Sequence, residues 1–439
     1  MRFKKTTYNH GANYLLIVES PSKCQKIEHF LGSEYQCIAS LGHLRNIGGL
    51  TSINTKGDFS PKFTVIGEKQ KHIDNMNEVI KHFLPENIIL ASDDDREGEA
   101  IAWHICEIFN LNINTTHRII FHEITKQAIQ SAIDNPTHIN MNLVKAQLAR
   151  QILDIIVGYR ISPYLWKYLY NDKTNSLSAG RCQTPALKLI YDNYKLQTDE
   201  PEKKYKTTAV FTPKKINFSL NHDFTANTEI EEFLNLSRSF QHELSIYEPK
   251  DSEKSAPIPF QTSKLLQSAS NNLHYSPKQT MDICQKLYQN GYITYMRTES
   301  TKYSNTFINK AGTYIEKKFG KPFIGNTYKI KNTDSNNPHE AIRVTNLETT
   351  QVNSDSDKKL NALYKLIWRN TLQSCMASAK YKVNKLIVSA PIKHEYVSSI
   401  DYPVFLGFKI IDEKESLEKL QSIVNGLLFY LKQSNKIVN

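Results

Sequence analysis

The chain has 439 residues, enough for two to four domains and a sizeable core. Lys and Arg total 55 against 44 Asp and Glu, and the net charge of +11 favours an anionic partner, nucleic acid first, although a basic protein with no polyanion partner fits charge alone equally well. The 6 cysteines form no C-x-x-C pair, so a zinc ribbon is not supported, and no apolar run reaches bilayer-spanning length. Scattered thiols and the lack of an apolar signal core predict a soluble, cytoplasmic protein with reduced cysteines.

Tyr14–Val18 (YLLIV) reads as a buried parallel strand. Ser20 and Pro21 supply a helix cap and a first-turn proline, and Gly32 supplies the stop. Ile88–Ala91 is a second strand, followed by Ser92, an acidic cluster and a helix marked by Ile101, Ile105 and Ile108. A strand over Arg118–Phe121 and a helix through Ala128, Ile129, Ala132 and Ile133 come next. This alternation predicts an α/β domain with a largely parallel sheet over roughly the first 140 residues. Leu143 to about Gln197 reads as helical, interrupted by the loop NDKTNSLSAG. Tyr205–Tyr247 reads as short strands and turns, and Glu248–Phe260 as a linker with three prolines. Residues 261–376 are expected to be helical, with Ser276 and Pro277 opening a helix that Gly291 closes just before Tyr295. Leu360, Leu363, Tyr364 and Ile367 mark a late amphipathic helix, and the strand pattern returns from Tyr381. NTDSNNP (Asn332–Pro338) reads as a loop, and no internal repeat is visible.

Two strings carry chemistry. In ASDDDREGEAIAWH (Ala91–His104), Asp93, Asp95 and Glu97 recur at alternate positions after a strand, and an extended backbone puts them on one face. Hard oxygen ligands of this kind suit Mg²⁺. Glu19 ends the first strand, and parallel strands bring their carboxyl ends to one sheet edge, within reach of the same cluster. A lone D-x-D-x-E is more often a solvated acidic turn capping the next helix. In GYITYMRTES (Gly291–Ser300), Tyr295 stands two residues from Arg297. A tyrosine hydroxyl titrates near ~10, so it needs a neighbouring cation to become a nucleophile. Arg297 offers that charge, and its guanidinium also suits phosphoryl oxygens. With 23 tyrosines in the chain, spacing alone does not single out Tyr295.

Together these strings resemble the type IA DNA topoisomerases, with GEAIAWH and YMR closer to bacterial topoisomerase I than to topoisomerase III. DDDREGEAIAWH is similar to the conserved end of the TOPRIM fold, and the ESPSK string (Glu19–Lys23) supplies that family's glutamate and lysine. NPHEAIRV (Asn337–Val344) resembles the family's HEAIRP element, so His339 is implied at the scissile phosphate; taken alone it reads as a surface-loop histidine. LGHLR (Leu41–Arg45) implies a DNA contact for His43. Ala146–Leu169 resembles the start of the single-strand-binding domain, which implies a groove lined by Arg150, Asp154, Tyr159 and Trp166. SLSAGRCQTPAL (Ser176–Leu187) matches the family's LSAGRVQ loop and implies DNA contacts for Ser178, Ala179, Gly180, Arg181, Cys182 and Gln183. Cations for phosphates and aromatic faces for bases are what single-strand binding requires, but Tyr159 and Trp166 taken alone read as core residues. Glu299 stands where the family's YMRTDS has aspartate, and Val344 where it has proline.

The resemblance covers most of residues 14–410 and implies a multidomain α/β plus α+β chain, a TOPRIM domain followed by a type IA topoisomerase core. Its expected parts are a TOPRIM domain at 1–140, a partial helical DNA-binding domain at 141–200, a β-rich hinge domain at 201–256 and 377–439, and a helical domain at 257–376 carrying Tyr295. The family's returning G-x-G-R-P-S-T-Y string and zinc-ribbon or basic tail do not occur, so an incomplete toroid is expected, one that cleaves single-stranded oligonucleotides but relaxes plasmids slowly or not at all unless a partner supplies the segment. The implied activity is ATP-independent relaxation of negatively supercoiled DNA by a monomer, with Tyr295 as nucleophile, and no P-loop string occurs. Arg297 would neutralise phosphoryl charge and bind DNA, Glu19 and Lys23 would assist the 3′ oxygen, and Mg²⁺ would sit on Glu19, Asp93, Asp95 and Glu97. A TOPRIM nuclease or primase, or a single-strand-binding remnant with weak activity, remains open.

Overall fold

The computed structural model describes residues 6–169, 177–198, 203–211, 215–325, 339–352, 357–433 and 436–437. The expected loop at 332–338 and the start of the loop at 171–180 lie outside these residues. In chain order the first elements are β1 (Tyr14–Val18), α1 (Pro21–Leu31), β2 (Tyr35–Ala39), β3 (Arg45–Ile47), β4 (Phe63–Val65), α2 (Gln70–Ile80), β5 (Ile88–Ala91), α3 (Arg96–Phe109), β6 (His117–Arg118), α4 (Lys126–Asp134), α5 (Met141–Tyr168) and α6 (Gln183–Thr198). There follow β7 (Tyr205–Val210), β8 (Asn217–Phe224), α7 (Asn227–Ser239), β9 (His242–Ile246), β10 (Lys250–Lys254), α8 (Thr262–Leu273), α9 (Pro277–Gln289), α10 (Asn305–Phe319), α11 (Lys358–Ser374), β11 (Ala379–Ser389), β12 (Glu395–Phe405), α12 (Leu417–Gln433) and β13 (Lys436–Ile437).

The chain forms two compact units. One comprises Met1–Asn193, Gln261–Ser300 and Asn336–Ile367; the other comprises Tyr194–Phe260, Thr301–Ser335 and Trp368–Asn439. The sheet of the first unit has the order β2-β1-β5-β6, and every pair in it is parallel. Its central strands are apolar because both faces are covered: Leu15, Leu16, Ile17, Val18, Leu90 and Ala91 are almost wholly buried. Each large aliphatic side chain so buried contributes roughly 1.5–3 kcal/mol. Pro21 starts α1 and Gly32 ends it at φ 88°, as expected, but Ser20 at the cap position makes no capping bond; its Oγ lies 2.8 Å from that of Ser22.

The strand expected over Arg118–Phe121 is shorter, covering only His117–Arg118. Ile119 still bonds the Leu90 carbonyl, and the chain then leaves the sheet and carries His122 to its carboxyl edge. Two further expectations are corrected in the second unit. Residues 205–247 include the helix α7, whose Phe233 is buried in the core of a β-sheet; the strand-like flanks hid its helical spacing. The linker expected at 248–260 contains β10, a charged strand paired on one side with β11. Charge is what keeps such an edge soluble. The second unit's sheet runs β13-β9-β11-β12-β8-β7, with β10 also on β11.

Candidate active site

Every strand of the parallel sheet delivers a polar group at its carboxyl end. β1 leads into Glu19, β2 into the turn before His43, β5 into Asp93–Asp95, and β6 toward His122. Sites form at this edge because the strand ends and the following helix N-termini converge there. Gly98 is required at that point. A Cβ on it would lie 2.0 Å from the Asp93 carbonyl oxygen, so no other residue lets the first turn of α3 fold back over the acidic string.

Tyr295 reaches this edge from 200 residues away. Gly291, at φ +67, closes the turn after α9; a Cβ there would meet the Ile124 carbonyl at 2.4 Å. Residues 293–295 are then fastened on two sides. The Thr294 N–H bonds the Arg343 carbonyl and the Tyr295 N–H bonds the His122 carbonyl, at 2.9 and 2.8 Å. Arg343 is itself buried and paired with Glu340 at 2.6 Å and Glu123 at 2.9 Å. That ion cluster joins the HEAIR string to the FHEI string and carries His339 toward His122.

The Tyr295 hydroxyl donates to Asp95 Oδ2 at 2.5 Å, and Arg297 Nη1 donates to the same oxygen at 3.1 Å. Tyr295 is 2% exposed, whereas the Arg297 side chain is half-exposed. Burial, then the charges of Asp95 and Asp93, push the tyrosine hydroxyl well above its ordinary range, and Arg297 works against them. Burial acts to raise Asp95, but hydrogen bonds from Tyr295 and Gly98 and the Arg297 charge hold it below the usual carboxylate range. Asp95 is also the N-cap of α3, bonding the Gly98 N–H at 2.8 Å. The helix-capping role of a D-x-D-x-E turn and the role in a charged site therefore fall on one carboxylate.

Asp93 is paired with the buried ammonium of Lys23 and accepts from the Tyr288 hydroxyl at 3.4 Å. Glu19 is raised to about 7, first by burial and then by Asp93 and Asp95, with Lys23 opposing. Glu19, Asp93 and Asp95 thus form a carboxylate group with more negative charge than Lys23 and Arg297 comfortably balance. Its hard oxygens suit a divalent cation in kind, but they do not converge as a set to within 4.8 Å, and the Asp93 carboxylate is held by Lys23. Glu97 stands apart from them. The chain turns helical at Arg96, so the period-two face ends at Asp95, and Glu97 instead bonds His43 at 3.1 Å and Gln147 at 3.1 Å. Glu299 is exposed. His339 is half-buried, and burial lowers its pKa against the opposing charge of Asp94.

The residues expected to bind DNA gather elsewhere in the same unit. A groove of about 960 Å³ is lined by His43, Glu97, Arg150, Asp154, Tyr159 and Trp166, among others. Tyr159 is 57% exposed and Trp166 44% exposed, which corrects the reading of either alone as a core residue. Tyr159 lies against Gly49, where a Cβ would meet its hydroxyl at 2.9 Å. The LSAGRCQ loop is seated on α5. Arg181 pairs with Asp154 at 3.0 Å, the Ala179 N–H bonds Ser162 Oγ at 3.0 Å, and Trp166 bonds the Leu177 carbonyl. Gln183 donates to the Ser178 carbonyl at 2.9 Å, the Gly180 N–H bonds Thr184 Oγ1 at 3.2 Å, and Cys182 is exposed.

Several residues of the site were missed in the sequence. Tyr288 is an ordinary-looking helix tyrosine, and Arg118, which holds the Asp93 carbonyl at 2.9 Å and Glu99 at 3.3 Å, looks like a strand residue. His122 could have been found, since it follows the carboxyl end of an expected parallel strand. Among the described residues no helix is long and apolar enough to cross a membrane.

A family model described as DNA topoisomerase matches residues 138–436, and a Toprim domain model matches residues 14–124. The solved structure of full-length topoisomerase I from Thermotoga maritima is similar to this chain at 34% identity, with a TM-score of 0.76. The match covers 92% of this chain and 68% of that one.

Proposed function

The chain belongs to the type IA DNA topoisomerases, and from that premise we propose that it relaxes negatively supercoiled DNA without ATP, cutting and rejoining one strand through a 5′-phosphotyrosine link at Tyr295. The observation that carries this reading is the shared carboxylate oxygen of Asp95, which receives hydrogen bonds from both Tyr295 and Arg297. It supports a tyrosine held at a carboxylate site whose same oxygen also holds the proposed activating cation. The groove along α5 supports single-stranded DNA as the bound form, with Arg150 for phosphates and Tyr159 and Trp166 for base stacking, and Arg181 beside it on Asp154.

In this reading the Tyr295 oxygen forms a bond to phosphorus while the bond from phosphorus to the 3′ oxygen breaks. Arg297, half-exposed, turns from Asp95 to the phosphoryl oxygens and lowers the cost of the phenolate. The Tyr295 proton leaves along its hydrogen bond to Asp95, whose carboxyl loses the lowering charge of Arg297 once that guanidinium turns to the phosphate, and passes on to solvent. Glu19, near neutrality at about 7, gives a proton to the departing 3′ oxygen and takes it back on rejoining. Lys23 holds the Asp93 carboxylate in place. His339 stands near the Tyr295 ring, centroids 6.0 Å apart, where a scissile phosphate would pass. Asp93 and Asp95, beside Glu19, would hold Mg²⁺, which when bound supplies positive charge that keeps the broken ends aligned. Plasmid relaxation tests the reading: wild type should relax negative supercoils with Mg²⁺ and stop with EDTA, and Tyr295→Phe should be inert while still binding single-stranded oligonucleotide. Relaxation by Tyr295→Phe would rule the assignment out.

A further inference from the structure

The acidic string has three aspartates, and the function above uses two of them. The middle one, Asp94, meets two imidazoles instead. Its Oδ2 lies 2.7 Å from His122 Nε2 and 3.7 Å from His339 Nδ1. We propose that Asp94, His122 and His339 form a binding site for a divalent ion of the zinc class, separate from the Glu19, Asp93 and Asp95 carboxylates.

Four observations carry this. The three ligand atoms all lie within 4.8 Å of one another, and this is the one such group of three His, Cys, Asp or Glu donors among the described residues. His339 Nδ1 is buried and makes no hydrogen bond, although a carboxylate oxygen stands 3.7 Å away. A buried polar atom without a partner is costly, and an ion between the two would satisfy it. Two donors on one tetrahedral zinc ion, each at about 2.0–2.1 Å, are roughly 3.3 Å apart, a value between the two observed spacings. Small side-chain shifts therefore suffice to admit the ion. Finally, the two rings meet edge to face, with centroids 5.1 Å apart and planes at 72°, so they approach the carboxylate from different directions.

The donor set selects the ion. Two imidazoles and one carboxylate suit zinc and its neighbours, whereas magnesium prefers oxygens throughout. Coordination through Nδ1 also fixes the proton of His339 on Nε2. An ion here would hold that ring as a hydrogen-bond donor beside Tyr295.

The test is a Co²⁺ titration of the full chain in excess Mg²⁺, read by the visible absorption of four- or five-coordinate cobalt. One equivalent should bind, Zn²⁺ should displace it, and Mg²⁺ should not. Asp94→Asn and His122→Gln should each weaken binding by about 100-fold. His394→Gln, which removes one ring of the stacked His222–His394 pair, should leave it unchanged. X-ray absorption at the cobalt edge of the wild type should show two imidazole ligands, a result that needs no variant to fold. An all-oxygen or thiolate shell, bleaching by Mg²⁺, or wild-type affinity in Asp94→Asn would overturn the proposal.

Discussion

Around Tyr295 the charged groups meet below the surface, whereas along α5 they stand in solvent. Lys23 and Asp93, Arg118 and Glu99, and Arg343 with Glu340 and Glu123 all pair with little exposure, and they fasten segments from four parts of the sequence. Arg150, Asp154 and Arg181 pair in the open, and Tyr159 and Trp166 present their faces to water. Buried pairs fix geometry but are costly to break, while exposed pairs add little stability and stay free to meet a ligand. The first region is therefore rigidly fastened, as the proposed chemistry requires, and the second is left free to adapt, as the proposed binding of a flexible strand requires.

The largest expected difference comes from Arg343. Arg343→Met removes the buried cation shared by the partly exposed Glu340 and Glu123, so urea unfolding should show a loss of about 3 kcal/mol. Arg181→Ala should leave the unfolding curve unchanged. Equal effects of the two would break the distinction between the regions.

Tyr159→Ala sharpens it from the other side. Single-strand affinity should fall by roughly 1–3 kcal/mol, the usual contribution of a stacked aromatic, with little change in unfolding midpoint. Fluorescence anisotropy with a labelled oligonucleotide gives the affinity. Unchanged binding would mean that the groove does not stack bases at this position.

The smallest effect depends on pH. His104 lies where the regions adjoin, its Nδ1 accepting from Arg45 Nε at 2.8 Å. Burial, then the charges of Arg45 and His43, lower its pKa to about 3. In the unfolded chain it titrates near ~6.5, so on acidification the unfolded state takes up the proton first. The stability contributed by neutral His104 is thus complete above that pH and is lost as pH falls toward 3. At pH ~5.5 the loss is about 1.4 kcal/mol. Wild type should lose more stability than His104→Gln between neutral pH and that point, and parallel curves would place the imidazole in a less buried setting.

How much of this was legible follows the same division. β1, β5, the acidic string and the YMRT string are local patterns, so strand ends and candidate groups could be read from apolar runs and motif order. Glu97 could not be placed that way, because the switch from extended chain to helix at Arg96 turns it off the Asp93 face. Arg343, Tyr288 and Arg118 gain their roles only from partners far along the chain, and nothing in their immediate neighbours marks them. Asp94 was overlooked for a related reason: an alternate-position pattern draws attention to its neighbours, and its own partners lie 28 and 245 residues away. The exposure of Tyr159 and Trp166 was hidden because apolar neighbours on a long helix look the same whether they face a core or a groove.

The central claim is that Tyr295 is the residue joined to DNA. Trapping cleavage with a single-stranded oligonucleotide, digesting the protein and sequencing the nucleotide-bearing peptide by mass spectrometry tests it directly. The account predicts one modified peptide, containing GYITYMR, with a 5′-phosphoryl group on Tyr295 and a free 3′ hydroxyl on the released strand. A modification on Tyr292 or Tyr288, or hydrolysed ends with no adduct, would contradict it.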